Sequence, residues 1–206
     1  PAGVTHRWVP ESDEVAALVV ESSGHVRIPD KYLSPHGQLL EGAPFSERDL
    51  RAPGEPLTEE GADVPVLVRS RGGWLRYRHA THPFDVVGWD GCVYPVALNI
   101  EEFEPIVGRI HQPPPVHQTW ALPGAVVCSF VPRQYDFDPD AVRVPYHHHN
   151  VDSDEVLFYA DGDFISRSGS GIGRGSISLH PAGFTHGPQP GSSERADAVD
   201  GTSEVA

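Results

Sequence analysis

The sequence of 206 residues contains no methionine and only two cysteines, Cys92 and Cys128. Two cysteines are too few for a disulfide framework, so we expect a reducing compartment, the cytoplasm. A run of about 18 apolar residues is missing, which argues against a transmembrane helix. The first residues, PAGVTHRWVP, also lack the pattern of a signal peptide. Because no methionine stands at position 1, either a start methionine was removed or the chain is a piece of a longer one.

Basic side chains are scarce as well. The chain has 15 Lys and Arg against 29 Asp and Glu, which gives a formal net charge of −14. A surface this acidic repels phosphate backbones, so we do not expect a nucleic-acid partner. No membrane partner is expected either.

Turn-forming residues, in contrast, are abundant, with 21 Gly and 21 Pro. They break the chain into short segments, which excludes most long helices and favours an all-β fold, a sandwich or a barrel. Residues from 191 onward are mostly Ser, Ala, Asp, Glu and Gly, which predicts a frayed tail or a cut strand. A short helix fits residues 47–51. Predicted strands are 15–20, a hairpin of 66–69 with 74–78, 125–132, 155–159 and 175–180.

Histidine spacing is the most informative feature. Three histidines at 147–149 are followed by Glu155 at the start of the apolar run EVLFY. On a strand, residues two apart share a face, so His147 and His149 lie on one side and His148 points away. The residues at 152–154, DSD, are predicted to form a turn that can bring an imidazole and the Glu155 carboxylate together.

A second group follows in the run GSISLHPAGFTHGP, where Pro181 and Gly183 precede His186. They fix a tight bend from which His186 projects. Two His and one carboxylate from adjacent strands form the facial triad that holds non-haem Fe(II) and leaves positions open for substrate and O2. The same ligands suit Zn(II) or Mn(II), so ligand type alone does not choose the metal. The alternative is a solvated turn, a surface charge and an ordinary proline-containing loop.

Both groups resemble the short motifs of the cupin superfamily. One motif reads His-x-His, a gap, Glu, six residues, Gly; the other reads Gly, five residues, Pro-x-Gly, two residues, His. The resemblance implies a cupin-type antiparallel β-barrel or jelly roll, preceded by a partial β-sandwich. We expect a partial N-terminal β portion at 1–95, a cupin-like metal-binding portion at 96–190 and a tail at 191–206. The matching residues are His147, His149, Glu155 and Gly162, then Gly175, Pro181, Gly183 and His186.

Longer segments resemble the homogentisate 1,2-dioxygenase family in order and approximate spacing. They are THRW at 5–8, PFDVVGWDG at 83–91, YHHHNVDSDE at 146–155 and SLHPAGFTHGP at 178–188. The resemblance implies an Fe(II) enzyme that opens homogentisate with O2 to maleylacetoacetate, in tyrosine and phenylalanine catabolism. It implies His149, Glu155 and His186 as iron ligands, with His147 as a neighbour. Family members are longer, so we expect this chain to be a shortened one. They also assemble into homo-oligomers, and the resemblance implies such an assembly here as well.

The resemblance also assigns an acid/base and a substrate pocket. His111, in VGRIHQPPP, matches the family's acid/base, and His117 is the competing candidate. His180 matches a pocket histidine that lies behind the metal ligands or touches substrate, and His186 is expected to contact substrate as well as metal. Arg133 and Arg174 are candidates for binding the substrate carboxylate.

One position departs from the family. Its substrate-binding Tyr falls at Phe164, which cannot donate that hydrogen bond; a shifted alignment would move the role to Tyr159. This favours, as an alternative, a cupin dioxygenase for a related phenolic acid such as gentisate. A further alternative is a metal-binding or sugar-binding cupin without turnover, or an inert fragment.

Overall fold

The computed structural model describes residues 3–55, 57–70, 72–87, 95–107 and 111–206. The chain forms two compact units. The first consists of Pro1–Glu14 with Leu50–Leu98, and the second of Val15–Asp49 with Asn99–Ala206. Residues 15–49, which the sequence places in the N-terminal portion, therefore belong to the unit that carries the histidine motifs.

Within the described ranges, all regular sheet structure consists of two-stranded antiparallel pairs. β1 pairs with β4, β2 with β3, β5 with β6, β7 with β10, and β8 with β9. Helical structure is limited to α1, Ser192–Asp197, and to short 3-10 turns at Asp30–Tyr32, Glu47–Asp49, Ile100–Glu102, Pro114–His117 and Ile165–Arg167. The predicted all-β class is confirmed, and the described strands form separate pairs rather than one closed barrel. The strands are β1 Leu50–Arg51, β2 Ala62–Ser70, β3 Gly73–Thr81, β4 Ala97–Leu98, β5 Gln118–Leu122, β6 Ala125–Cys128, β7 Arg133–Gln134, β8 Glu155–Phe158, β9 Ile177–His180 and β10 Gly201–Thr202.

The first unit contains the predicted hairpin, which the structure confirms as β2 and β3 with Ser70 opposite Gly73. In the same unit, Glu59 links Arg7 of the THRW segment to His82, the residue that precedes the PFDVVGWDG segment. The Arg7 guanidinium lies 2.8 Å from one carboxylate oxygen of Glu59, and His82 Nε2 lies 3.3 Å from the other. The Phe84 amide donates to His82 Nδ1 at 3.0 Å, so the proton of a neutral ring is on the Nε2 that faces Glu59. The conspicuous THRW and PFD segments thus have a structural role here.

Aromatic side chains form the core of the second unit at one end. Phe45 packs between Tyr32 and Trp120, with ring centroids 6.2 and 5.6 Å away. The Tyr32 hydroxyl donates to the carbonyl oxygen of Gln118 at 2.8 Å, which ties the first 3-10 turn to β5. The predicted buried strand at 15–20 is wrong, because Val15, Val19 and Val20 are more than half exposed and form no strand. Apolar residues are buried only where a second element covers them, and none of the described residues covers this run.

The C-terminal residues are paired with the body of the second unit. β10 pairs with β7, and Phe130 and Ala206 exchange backbone hydrogen bonds of 2.8 and 2.9 Å. Ala196 on α1 is fully buried. The expectation of a frayed tail is therefore wrong. Composition misled because backbone hydrogen bonds, which any sequence can make, hold this segment. No described helix is long and apolar enough to span a bilayer.

Candidate metal centre

The strand pair β8–β9 carries the first part of the site. Glu155 lies directly opposite His180 in the antiparallel register. Directly opposed residues point to the same face of a sheet, so the carboxylate and the imidazole share one side. The Glu155 side chain is one-quarter exposed and that of His180 is buried.

A separate bridge carries the second part. His148 and His186 face each other as an isolated antiparallel pair, and each amide nitrogen lies 2.8 Å from the other residue's carbonyl oxygen. The bend before His186 is anchored to the same segment, since the Gly183 amide donates to the Asn150 carbonyl at 2.7 Å. Gly183 has a φ of +72°, a conformation that glycine adopts without strain. The predicted Pro-x-Gly bend thus brings the two histidine motifs together.

Together these elements converge on three ligating groups. One nitrogen each from His148 and His186 and one oxygen from Glu155 all lie within 4.8 Å of one another. His186 Nε2 is 3.2 Å from Glu155 Oε2. Ligand atoms bound to one ion at about 2.1 Å, at right angles, lie about 3 Å apart. The His186–Glu155 separation therefore fits a shared metal ion, and His148, which is exposed, forms the open side of the group.

Backbone carbonyls hold both imidazoles in the form that a metal requires. His148 Nδ1 lies 2.6 Å from the carbonyl oxygen of Tyr146, and His186 Nδ1 lies 3.0 Å from that of Phe184. A carbonyl oxygen only accepts, so in each neutral ring the proton is on Nδ1 and the Nε2 lone pair is free to coordinate. Such outer hydrogen bonds are typical of metal-binding histidines.

The Nε2 atom of His186 supplies the test of fit. It is buried and has no hydrogen-bond partner among the described residues, although a carboxylate oxygen lies 3.2 Å away. A lone pair facing a carboxylate at that distance is repulsive unless a cation or a proton lies between them. The residues present therefore fit a divalent metal ion.

His180 lies beside this group and contacts two of its members. Its ring stacks on that of His186 with centroids 4.1 Å apart, and its Nδ1 lies 3.5 Å from Glu155 Oε2. Burial lowers the pKa of His180, and the charge of the neighbouring Arg167 acts in the same direction, while the hydrogen bond to Glu155 opposes them. The structure thus places the predicted pocket histidine against a candidate ligand.

Among the three successive histidines, the structure selects a different one from the sequence. His148, rather than His149, joins Glu155 and His186 in the only such group within the described part of the chain. His147 lies against Gly187, where an added Cβ would come within 2.6 Å of its ring. The reason is register: His148 pairs with His186, and alternation then turns both of its neighbours to the opposite face.

The two acid/base candidates differ sharply in burial. His111 is exposed on the segment before the 3-10 turn at Pro114–His117. His117 is completely buried, with its ring 4.8 Å from that of Phe130. Burial, assisted by the charge of Arg133, lowers the pKa of His117 to about 4. Neither ring nitrogen makes a well-formed hydrogen bond to the described residues, although the backbone near Gln112 weakly favours protonation. His117 is thus a neutral core residue.

Phe164 and Tyr159 pack against each other next to the strand pair β8–β9. Both are buried, with ring centroids 4.7 Å apart and nearly perpendicular planes. The Tyr159 hydroxyl pairs with the Ser178 hydroxyl at 2.9 Å and accepts from Arg167 Nε at 3.2 Å. The Tyr159 hydroxyl is thus engaged with groups inside the protein. This disfavours the shifted alignment, in which Tyr159 would bind the substrate.

Of the two arginines expected to bind a substrate carboxylate, Arg133 is committed to other groups. It is largely buried, donates to Gln112 at 2.8 Å and pairs with Glu204 at 3.2 Å. Arg133 therefore fastens the C-terminal residues instead of facing a ligand. Arg174 is exposed.

Sequence reasoning missed two residues of this site, His148 and Arg167. His148 was assigned to the opposite face because the motif was aligned on His147 and His149. No motif marks Arg167, which reaches the site from the 3-10 turn at Ile165–Arg167. Only the backbone pairing of His148 with His186 identifies His148 as a candidate ligand. A local sequence pattern does not reveal that pairing.

Comparison with known proteins finds relatives that are named as dioxygenases. The chain is 41% identical over 179 residues to a protein of Saccharolobus solfataricus that is provisionally named a dioxygenase. It is 32% identical over 182 residues to homogentisate 1,2-dioxygenase of Pseudomonas syringae and 28% over 184 residues to that of Caenorhabditis elegans. These matches cover 87%, 80% and 85% of this chain but only 46%, 42% and 40% of the relatives, so the chain spans less than half of their length. No family model and no solved structure matches the chain.

The chain is therefore a relative of dioxygenases. Within that class, the resemblance to the homogentisate 1,2-dioxygenases that the sequence motifs indicated is confirmed.

Proposed function

We propose that this chain carries the iron centre of a dioxygenase that opens the ring of homogentisate with O2. The observation that supports it most is the buried, unpartnered Nε2 of His186, 3.2 Å from the Glu155 carboxylate. His148 completes a group of two imidazoles and one carboxylate, the donor set of non-haem Fe(II) oxygenases. The dioxygenase names of the relatives support the same reading.

In this proposal His148, Glu155 and His186 hold Fe(II). The ion, when bound, supplies positive charge and open positions at which substrate and O2 come together. The carbonyls of Tyr146 and Phe184 accept hydrogen bonds from Nδ1 of His148 and His186 and so orient both rings with Nε2 free to coordinate. The exposure of His148 leaves one side of the group open, which suits the entry of a small aromatic acid.

Conversion of homogentisate to maleylacetoacetate adds both atoms of one O2 molecule and loses none, so no external reductant is needed. The substrate's ring hydroxyl must give up a proton on binding, and an imidazole is suited to accept it near neutral pH. His111 is the proposed acceptor. Its exposure supports exchange of that proton with solvent.

A related phenolic acid, such as gentisate, is the second candidate substrate. Phe164, at the position of the family's substrate-binding Tyr, is buried against Tyr159 and has no hydroxyl to offer. A substrate that does not need that hydrogen bond would suit this site better.

An oxygen-uptake assay tests the function. The protein is loaded with Fe(II) without air, and O2 consumption is followed with homogentisate, with gentisate and without substrate. We expect uptake of one O2 per homogentisate, with both atoms of ¹⁸O2 found in the product. Uptake of O2 with gentisate but not with homogentisate would show that gentisate, rather than homogentisate, is the substrate. Bound iron with no uptake for either acid would contradict the function and leave a metal-binding cupin without turnover.

We also propose that the chain assembles as a homo-oligomer. On the face of β8–β9 opposite Glu155, Val156, Ile177 and Leu179 are each more than half exposed. An exposed apolar face of this kind is normally covered by another layer or another subunit. Light scattering of the purified chain tests this, and a monomer at all concentrations would contradict it.

The low cysteine content supports the cytoplasm as the compartment of this protein.

A further inference from the structure

Arg167 makes three hydrogen bonds to residues that lie beside the candidate metal centre. Its Nε donates to the Tyr159 hydroxyl at 3.2 Å, and one terminal nitrogen donates to the Gly187 carbonyl at 2.7 Å. The other terminal nitrogen lies 3.3 Å from Nε2 of His180. The side chain is thus held by a buried tyrosine and by the residue that follows His186.

The contact with His180 determines where the imidazole proton lies. A guanidinium has donors only, so His180 Nε2 must accept, and the ring proton must be on Nδ1. That Nδ1 faces Glu155 Oε2 at 3.5 Å, a long hydrogen bond. Both nitrogens of His180 are then engaged, although its ring stacks on His186 within 4.1 Å.

We infer that Arg167 is a positioning residue of the metal centre, which acts through His180: it fixes the His180 ring so that Nδ1–H points at the Glu155 carboxylate. This inference rests on the proposed metal centre. Fixing the His180 ring has two consequences at the metal centre. The Glu155 oxygen is held in the orientation that faces His186 and His148, and His180 is kept from becoming a fourth ligand because its Nδ1, the nitrogen that faces Glu155, carries the proton.

Two other roles for Arg167 agree less well with its contacts. Binding a substrate carboxylate would use a fork of two adjacent donors, but three of the five N–H donors, one on each nitrogen, already face protein atoms and fix the guanidinium against them. A purely structural role, through Tyr159 and Gly187, would not require the third nitrogen to face an imidazole. These alternatives make different predictions for the order in which the residues act.

A double-mutant cycle on the full chain separates them, with Co(II) and Fe(II) affinity measured by competition with a chelator. The variants are Arg167→Gln, His180→Phe and the two combined, with Arg76→Gln as the matched control on an exposed arginine of β3. We expect Arg167→Gln to weaken metal binding roughly 10-fold to 100-fold, as loss of an outer hydrogen bond does. Arg76→Gln should leave the affinity unchanged. The combined variant should bind metal no more weakly than His180→Phe alone, because the two residues act in series.

A second measurement begins with the wild-type protein, so its first result does not depend on the folding of these variants. Long-range ¹H–¹⁵N spectra of the metal-free wild-type protein should show His180 as a neutral ring protonated on Nδ1. In Arg167→Gln that ring should become a mixture of tautomers. Effects that add in the cycle, or a His180 ring protonated on Nε2 in the wild type, would overturn the inference.

Failure of the proposed function gives a different result. If iron binds and the cycle is non-additive but no phenolic acid consumes O2, the oxygenase proposal fails and the role of Arg167 stands. If O2 is consumed while the cycle is additive, the function stands and the role of Arg167 fails.

Discussion

His148 and His186 hold each other through two backbone hydrogen bonds, with each amide nitrogen 2.8 Å from the other residue's carbonyl oxygen. The pairing links segments 38 positions apart and turns both imidazoles toward Glu155. It also decides which of three successive histidines can reach the carboxylate. The site is thus specified by register, a long-range property, and not by the local alternation of side chains.

Substitution of Gly162 tests how the C-terminal residues support the centre. Gly162 follows β8 with a φ of +85°, and an added Cβ would clash with the carbonyl oxygen of Ser203. Gly171 has a φ of +84° and open space around it, so Gly171→Ala is a matched control for strain alone. We expect Gly171→Ala to lower the free energy of unfolding by about 1–2 kcal/mol. Gly162→Ala should lower it by a further ~1–3 kcal/mol, because the backbone must move.

Urea unfolding of both glycine variants checks this expectation. Equal losses would show that the close approach of Ser203 has no energetic weight, and that the C-terminal residues can separate from the turn at little cost.

The buried His117 predicts a dependence of stability on pH. Its pKa in the folded protein is about 4, below the ordinary 6.5, so the unfolded chain binds a proton that the folded one does not. Stability should therefore fall as the pH drops below 6.5, and this contribution should level off below about 4. A difference of this size corresponds to about 3 kcal/mol at most.

The His117 contribution is isolated with His117→Leu, an apolar side chain that stays buried beside Phe130. Urea unfolding of both proteins between pH 7 and 4 should show a shallower loss for the variant by about 3 kcal/mol. Parallel curves would mean that His117 is protonated in the folded state, contrary to its burial.

Cys128 should react slowly. Burial raises the pKa of its thiol to about 11, and the negative charge of Glu155 acts in the same direction against the nearby Lys31. In a Cys92→Ser background, alkylation by iodoacetamide at pH 8 should be about 100-fold slower in the folded than in the unfolded protein, because the thiolate is scarcer. Glu155→Gln should raise the folded rate. A folded rate equal to the unfolded one would show that the thiol is open to solvent.

Local patterns predicted the strands that build the site. EVLFY and GSISLH were recognised by apolar content and alternation, and they became β8 and β9. The Pro-x-Gly bend was recognised because such residues restrict the backbone wherever they occur. Failures came where a partner distant in sequence decides. VAALVV at 15–20 is apolar yet exposed, and the polar C-terminal residues are held by backbone pairing.

The candidate ligands divide in the same way. Glu155 and His186 were found because each follows a local motif, and the structure brings them within 3.2 Å. The third ligand depends on which residue of 147–149 pairs with His186, and the alignment on His149 carried no information about that pairing. Arg167 contributes through side-chain contacts alone, which leave no trace in the order of residues.

The most direct test of the metal centre compares two adjacent histidines. Fe(II) and Co(II) affinities are measured for His148→Ala and His149→Ala, both exposed positions. We expect His148→Ala to weaken binding by more than the roughly 10-fold to 100-fold that loss of an outer partner costs, because a ligand is removed. His149→Ala should bind like the wild type. Loss of metal in His149→Ala with full binding in His148→Ala would contradict the site described by the structure.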